Sequence, residues 1–380
     1  MKGLWLLTVM LLLCRSSLAA PPTKRLVPLR TGATLTQPPN PHHFYFVVSG
    51  DNRAAGRGVP MPPTANRIFK EISRIHPAFT LWTGDTIYGF TDTPGEAARE
   101  YQHFLAAART AGTPIYNAPG NHEIYNRPGL QSVYEQQMGS LYGSFNYGAC
   151  HFIALDTEEV GANGGFSSQQ LNWLRTDLAA NSGAQHIFVF MHHPLYPLFP
   201  EDALKNPVMR KALQSLFAQY HVAYVFSGHE HIYYASVHQG VHYVVTGGAG
   251  APMDAAPEKG GFLHYLLVNV NGSTVHQSVL QPWRLSVTMG PKEANEWQSA
   301  LVCNYNASPV PVLVEFDEGE LTPNSALVQA TWKGKKISSN IPARMVTGVV
   351  PGRIGALVTV PPGIAVVVSL RPKAMPMANH

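Results

Sequence analysis

Five short polar clusters carry residue types that can hold metal ions: Gly50-Asp51, Gly84-Asp85, Gly120-Asn121-His122-Glu123, His192-His193-Pro194 and Gly228-His229-Glu230-His231. Together they offer two aspartates, an asparagine and five histidines, three or four of them as candidate ligands. Carboxylate oxygen, amide oxygen and imidazole nitrogen, with no thiolate among them, suit borderline and hard transition ions such as Fe, Mn or Zn. Each cluster alone has a plainer reading: Gly-Asp is a common turn, Asn-His-Glu can cap a helix, and His-His-Pro can close a strand. Their joint occurrence, each at the end of an apolar run, points instead to one site. His229 and His231, two apart, share a face in a strand and in a loop can both turn toward one centre.

The preceding runs FYFVVS, FTLWT, IYNAP, IFVFM and AYVFS read as buried strands. Strand-like segments are expected at 43–50, 79–84, 114–118, 144–148, 150–156, 186–192, 222–227, 232–237, 241–246 and 263–270. Helix-period segments lie between them. One opens with the capping box Thr93-Pro94-Gly95-Glu96 and ends at Gly112, a second starts at Ser167 with Gln170 three on, and a third spans 208–220. This alternation predicts an α/β core whose strand ends and following loops bind the ligand. A glycine beside four of the clusters lets the backbone turn sharply there. From about residue 300, LVCNYN, VPVLVEF, SALVQATW, RMVTGVV and ALVTVPPGIAVVVSL read as short strands of a small all-β domain.

The 380 residues, 45% of them apolar, suffice for one large domain and a small second one. Residues 1–20 have the layout of a secretory signal: basic Lys2, an apolar stretch from Leu4 to Leu13 too short to span a bilayer, and a small-residue tail. Cys14 follows a leucine rather than a small residue, which disfavours lipid attachment. Without Lys2 and Arg15 the remaining chain has 25 basic against 23 acidic side chains, a net charge of +2. So small an excess implies no nucleic-acid or membrane partner. Cys150 and Cys303 can pair in an oxidising compartment or stand as isolated buried thiols. Asn271-Gly-Ser and Asn306-Ala-Ser are glycosylation sequons. The expected layout is a signal at 1–20, a proline-rich leader at 21–41, a catalytic domain at 42–285, a linker at 286–295 and a β domain at 296–372.

The ordered set Gly-Asp, Gly-Asp-x-x-Tyr, Gly-Asn-His-Glu, a histidine after an apolar strand, and Gly-His-x-His resembles the calcineurin-like metallophosphoesterases, and within them the purple acid phosphatases. The resemblance covers about residues 43–270. It implies a four-layer α/β/β/α sandwich of two mixed sheets and a centre of two divalent or trivalent ions, Fe with Zn, Mn or Fe. Asp85 bridges the ions by that resemblance, Asn121, His192 and His229 complete one shell, and Asp51 and His231 serve the other. Most of the superfamily has a histidine two residues after the first aspartate. Here that position is Arg53, which has no lone pair to give a metal. The purple acid phosphatases also lack the histidine and use a tyrosine three after the bridging aspartate as a phenolate on ferric iron; Tyr88 has that spacing.

By the same resemblance the chain is a secreted phosphatase acting on phosphate monoesters by attack of a metal-bound hydroxide on phosphorus. His122 contacts phosphate and protonates the leaving oxygen. Of His192 and His193, neighbours along a strand face opposite ways, so one is a ligand; the family pattern selects His192 and leaves His193 to the substrate. Glu123 is expected to orient a histidine, and Asp156 to be structural. The forked donors of Arg53 suit phosphate oxygens or a nearby carboxylate. His42, His43, His151, His186, His238, His242 and His264 are read as surface or strand residues. Two alternatives stay open: a phosphodiesterase or nucleotide-cleaving enzyme on the same metal core, decided by loops 54–66, 124–143 and 196–207, and a metal-binding or adhesive module without catalysis. Oligomeric state is left open.

Overall fold

The computed structural model describes residues 24–91, 93–124, 127–162, 164–291, 298–317, 326–333, 338–346 and 353–372. The signal sequence expected at 1–20 lies outside them. In chain order the core runs β1 (His43–Ser49), α1 (Pro63–Ile75), β2 (Thr80–Trp82), α2 (Pro94–Ala108), β3 (Ile115–Asn117), α3 (Asn121–Ile124), α4 (Pro128–Gln137), β4 (Gly143–Tyr147) and β5 (Cys150–Ala154). It continues through α5 (Ser168–Ala180), β6 (His186–Phe190), α6 (Pro207–Gln219), β7 (Tyr224–Ser227), β8 (Tyr233–His238), β9 (Val241–Thr246), β10 (Tyr265–Asn271) and β11 (Thr274–Leu280).

These strands form two mixed sheets, ordered β11-β10-β1-β2-β3 and β4-β5-β6-β7-β9-β8. In the first, β1, β2 and β3 are parallel; in the second, β5, β6, β7 and β9 are parallel. Period-2 alternation decides which side chains meet. Phe44, Phe46 and Val48 of β1 point inward with Phe152, Phe188 and Phe226 of the other sheet. The Phe46 ring stands edge-on to Phe152 at 5.4 Å and to Phe188 at 5.3 Å. Val47 and Trp82 face the other way, onto α1 and α2, where Trp82 stacks on Phe69 at 4.9 Å. Ile153, Val189 and Val225 cover the far face of the second sheet against Leu174 and Leu178 of α5 and Leu213 and Phe217 of α6. The result is helices on two sheets packed face to face, as expected.

All ten expected core strands are present, with ends that differ by at most two residues, and β11 was not expected. Helix α1 was not expected, because Pro60, Pro62 and Pro63 read as a loop. Its signal is the spacing of Ala65, Ile68, Phe69, Ile72 and Ile75, all buried. The capping box at Thr93 does not form: no side-chain cap is made, and the Glu96 carboxylate instead accepts Arg57 at 2.8 and 2.6 Å and the Thr91 hydroxyl at 2.8 Å. Ser167 does cap α5, accepting the Gln170 N–H at 3.2 Å. The leader is bound to the core over the part described here. Leu26 and Leu29 are buried, and their N–H groups donate to Ser144 and Ile115 carbonyls at 2.9 and 2.7 Å.

The C-terminal region is all β, as expected: β12 (Leu285–Met289), β13 (Gln298–Asn304), β14 (Val310–Asp317), β15 (Ala326–Lys333), β16 (Ser338–Ile341), β17 (Ala343–Val346), β18 (Arg353–Val360) and β19 (Ile364–Pro372). They make sheets ordered β12-β13-β19-β15-β16 and β14-β18-β17. Strand β12 occupies the start of the expected linker and pairs antiparallel with β13; its alternating Leu285, Val287 and Met289 are the overlooked signal. This domain packs on α1, whose Ile72 shares one apolar cluster with Val312 and Phe316 of β14. Glu71 of α1 accepts Arg67 Nε at 2.7 Å, the Trp283 N–H at 2.8 Å and the Tyr265 hydroxyl at 2.8 Å, while Arg67 Nη2 donates to the Leu285 carbonyl.

Cys150 and Cys303 are free and buried. Burial pushes the Cys150 thiol up to about 12. Asn271 is exposed, whereas Asn306 is buried and bonded to Asn304 and to Gln281, so only the first sequon presents its amide. Among the described residues no helix is long and apolar enough to cross a membrane.

Candidate metal centre

The five clusters leave the C-terminal ends of β1, β2, β3, β6 and β7, which are parallel within their sheets, so they gather at one rim. Backbone bonds tie the rim together. The Asp51 N–H donates to Gly84 O at 3.0 Å, Asn52 N–H to Asp85 O at 3.1 Å, and Gly228 N–H to His192 O at 3.0 Å. Asp51, Asp85 and His229 all have left-handed backbones, with φ of 62°, 51° and 72°. Such geometry in non-glycine residues costs of order 1–3 kcal/mol each and persists where the surroundings over-determine it. Two glycines make room for the carboxylates: a Cβ on Gly228 would lie 2.2 Å from Asp51 Oδ2, and one on Gly120 2.3 Å from Asp85 Oδ1.

Four donor atoms converge on one side of Asp85. His192 Nε2 is 2.7 Å from Asn121 Oδ1, 3.3 Å from Asp85 Oδ1 and 3.3 Å from His229 Nδ1, and His229 Nδ1 is 3.0 Å from Asn121 Oδ1. His192 Nδ1 donates to the Thr83 carbonyl at 2.8 Å, which leaves Nε2 as a bare lone pair. Burial lowers the proton affinity of His192 and lowers that of His229 well below its usual value. Lone pairs on two oxygens and two nitrogens therefore face one another with few protons to share. A cation at their centre resolves this, and the donor set fits a transition ion.

On the other side, Asp51 Oδ1 accepts the His229 N–H at 3.0 Å and lies 3.8 Å from His231 Nε2. His231 Nδ1 donates to Pro252 O at 2.7 Å, turning its Nε2 lone pair toward Asp51. Asp51 Oδ2 is buried with no hydrogen-bond partner. Burial and the adjacent Asp85 raise the Asp51 carboxyl well above its usual range. Burial works the same way on Asp85, but His192, His122 and Arg53 outweigh it and hold Asp85 below its ordinary value. An orphaned, destabilised carboxylate beside a lone-pair nitrogen again fits a cation. Donor atoms of Asp51, Asp85 and His192 all lie within 4.8 Å of one another.

Tyr88 lines the same wall. Its ring centroid is 5.8 Å from His122 and 6.0 Å from Phe90, its carbonyl accepts His122 Nδ1–H, and among the described residues its hydroxyl makes no hydrogen bond. His122 Nε2 points at Asp85 Oδ2 from 3.8 Å. Arg53 Nε lies 3.6 Å from Asp85 Oδ2, and Nη1 donates to Ala54 O at 3.3 Å.

Two expectations change. Glu123 orients no histidine; its carboxylate accepts the N–H groups of Asp85 at 3.0 Å, Thr86 at 2.5 Å and Gly120 at 2.8 Å, and the Thr86 hydroxyl at 2.6 Å. Burial, with Asp85 beside it, pushes its carboxyl up to about 7. The His192–His193 alternation argument also fails, because β6 ends at Phe190 and both histidines lie in the loop. His193 joins His192 and His229 in a cluster of donor atoms within 4.8 Å, its ring 3.9 Å from that of His229.

Three supporting carboxylates escaped the sequence reading. Glu158 accepts from His193 Nδ1, Asp254 accepts the His231 N–H at 2.7 Å, and Asp202 lies 3.7 Å from His229 Nε2. None stands next to a motif, and only their type hinted at a role. Asp156 is buried with one oxygen unpartnered and the other accepting the Glu158 N–H at 2.8 Å, a loop brace rather than a donor to the centre.

The calcineurin-like phosphoesterase family model matches residues 41–233. Serine/threonine-protein phosphatase CPPED1 of Danio rerio is 26% identical over 193 residues, 47% of this chain and 61% of that protein. Purple acid phosphatase 23 of Arabidopsis thaliana is 31% identical over 138 residues, 33% of this chain and 30% of that protein. The chain thus spans between about a third and three-fifths of these relatives. Among solved structures, purple acid phosphatase PPD1 from yellow lupin (Lupinus luteus) seeds superposes with a TM-score of 0.52 at 18% identity, over 65% of this chain and 53% of that one, which supports the fold. With the family model covering half the sequence and its motifs gathered at one rim, the chain belongs to the calcineurin-like phosphoesterase family.

Proposed function

We propose that this protein is a secreted, dinuclear-metal phosphatase that hydrolyses phosphate monoesters. The observation that carries the reading is the convergence of Asn121 Oδ1, His192 Nε2, His229 Nδ1 and Asp85 Oδ1 beside the orphaned Asp51 carboxylate. Asn121, His192, His229 and Asp85 would hold one ion; Asp51, His231 and the shared Asp85 would hold the other. Bound ions lower the pKa of water and offset the charge that develops on phosphate oxygens during in-line displacement. Names of the relatives, a protein phosphatase and a purple acid phosphatase, agree with phosphate-ester chemistry.

The chain's own residues supply the rest. His122, buried, held by the Tyr88 carbonyl and with Nε2 3.8 Å from Asp85 Oδ2, is assigned to the leaving oxygen. Arg53, beside Asp85, and His193, beside His192 and His229, are assigned to the phosphate oxygens. Tyr88 is assigned as a phenolate ligand at the Asp51 position. Secretion rests on the signal-like residues 1–20.

Metal analysis with a panel of mono- and diesters tests the proposal. A metal-loaded protein that cleaves monoesters supports it; one that cleaves only diesters moves the reading to a phosphodiesterase; one that binds metal and cleaves neither is an inactive module. Replacement His122→Ala should slow alkyl phosphates far more than 4-nitrophenyl phosphate, whose leaving oxygen needs no proton. A visible charge-transfer band lost in Tyr88→Phe supports the phenolate, and a colourless, fully active protein removes it.

A further inference from the structure

The loop after Asp85 brings three rings to one corner of the rim. Phe90 lies 3.8 Å from His122, ring centre to ring centre, at an interplanar angle of 37°, and 6.0 Å from Tyr88, nearly edge-on at 79°. Two helices hold this corner. The Gly89 N–H donates to Glu100 Oε2 of α2 at 3.1 Å, and the turn presses so closely on α3 that a Cβ on Gly89 would collide with the His122 carbonyl. Gly89 and Phe90 both have left-handed backbones, with φ of 58° and 43°. Glycine takes that conformation freely, but for a bulky aromatic it is an outlier of the kind that gathers at ligand sites. Phe90 is also only half-buried, whereas Phe69, Trp82 and Phe104 of the core are fully buried.

We infer that Phe90 selects the alcohol: its ring carries the organic group of the ester, and the protein favours monoesters of phenols, the phosphotyrosine side chain among them, over those of aliphatic alcohols. The inference rests on the phosphatase reading above. His122 is assigned there to the leaving oxygen, so the group attached to that oxygen must lie against what adjoins His122. Phe90 adjoins it by ring contact and still reaches solvent, which leaves a face for a ligand. A phenol sets a second ring on that face, and offset or edge-on aromatic pairs gain more than the apolar area they bury. An alkyl group gains the burial alone. The anchored turn fixes where the ring stands, so little order is lost when a substrate meets it.

Steady-state hydrolysis of phenyl phosphate, O-phosphotyrosine and ethyl phosphate by the metal-loaded full chain tests this in wild type and Phe90 variants. Comparing each substrate with itself across the variants cancels the intrinsic reactivity of its leaving group. Replacement Phe90→Ala should lower the aryl-to-alkyl ratio of kcat/KM roughly 3- to 10-fold, the worth of one aromatic pair. Replacement Phe90→Tyr, which keeps the ring, should preserve the ratio, and Phe90→Leu, which keeps apolar bulk alone, should fall between. A ring that only steadied His122 would give the opposite order, because alkyl esters depend most on the donated proton. A ratio that rises or stays constant in Phe90→Ala therefore overturns the inference while leaving the phosphatase reading intact. If Phe90→Ala does not fold, equal ratios in Phe90→Leu and Phe90→Tyr overturn it instead. A wild-type protein that cleaves no monoester overturns both.

Discussion

The Glu123 carboxylate accepts the backbone N–H of Asp85 at 3.0 Å, so the residue that the proposed dinuclear centre would share between its two positions is anchored through its main chain by a side chain from another loop. The same carboxylate bonds Thr86 and Gly120, bridging the loops after β2 and β3. Asp85 sits at φ 51°, a conformation that needs such support. Replacement Glu123→Gln loses an acceptor and brings an N–H against backbone donors. Metal affinity should fall roughly 10–100-fold, the range seen when groups that orient ligands are removed, with the circular dichroism spectrum kept. Unchanged metal affinity in the variant would sink this role.

Gly228 is required for space rather than for its own dihedral freedom. A Cβ there would meet Asp51 Oδ2 at 2.2 Å and Thr83 Oγ1 at 2.9 Å. Replacement Gly228→Ala should displace Asp51, weaken the ion at its position and lower stability by about 1–3 kcal/mol as overpacking does. Gly183, with no atom within 4 Å of its built Cβ, is the control. Equal metal content and melting temperature in the two variants would refute the steric account.

Buried His264 gives a pH dependence with a definite sign. Burial lowers its pKa from 6.5 to about 4, with Nδ1 donating to Phe262 O at 2.8 Å. Above pH 6.5 the ring is neutral in both folded and unfolded chains and contributes no pH dependence. As pH falls from 6.5 toward about 4, the unfolded chain takes a proton that the folded one refuses, so stability present above that window is lost within it. The full loss is about 3 kcal/mol. Denaturant titrations at pH 7.5 and 4.5 should show a smaller drop for His264→Gln than for wild type; equal drops would falsify the assignment.

Glu71 ties α1 to core strand β10 and to the segment entering β12, through Tyr265, Trp283 and Arg67. Replacement Glu71→Ala leaves the buried Tyr265 hydroxyl and the Trp283 N–H without their acceptor, at a cost of roughly 2–3 kcal/mol. Unfolding monitored by tryptophan fluorescence should move to lower denaturant by that amount. A change below about 0.5 kcal/mol, the usual scale of a surface substitution, would show that this network adds little beyond the apolar packing around α1.

Legibility followed the range of each interaction. The strands of the core were readable because alternation such as Phe44, Phe46 and Val48 is a local property of the chain. Helix α1 was missed because prolines at its start imitate a loop, although Pro63 merely occupies the first turn, where its missing N–H is harmless. The Thr93 cap failed for the opposite reason: Glu96 meets the distant Arg57, and a bidentate ion pair outcompetes a local bond. Strand β12 was mistaken for a linker because its partner β13 begins nine residues after β12 ends.

By itself the sequence determined the donor types, their order and their attachment to strand ends, and so the family. Only the tertiary structure decided which donor atoms face one another at the rim. His192 offers Nε2 because Thr83 from another sheet takes Nδ1, and His229 offers Nδ1 at an angle fixed by its left-handed backbone. It also set Arg53 against Asp85 rather than Asp51, and recruited Glu123, Glu158 and Asp254 as braces. The physical reason is range: residue type and short-period pattern are written along the chain, whereas tautomer, ring orientation and charge pairing depend on partners brought together only when the two sheets pack.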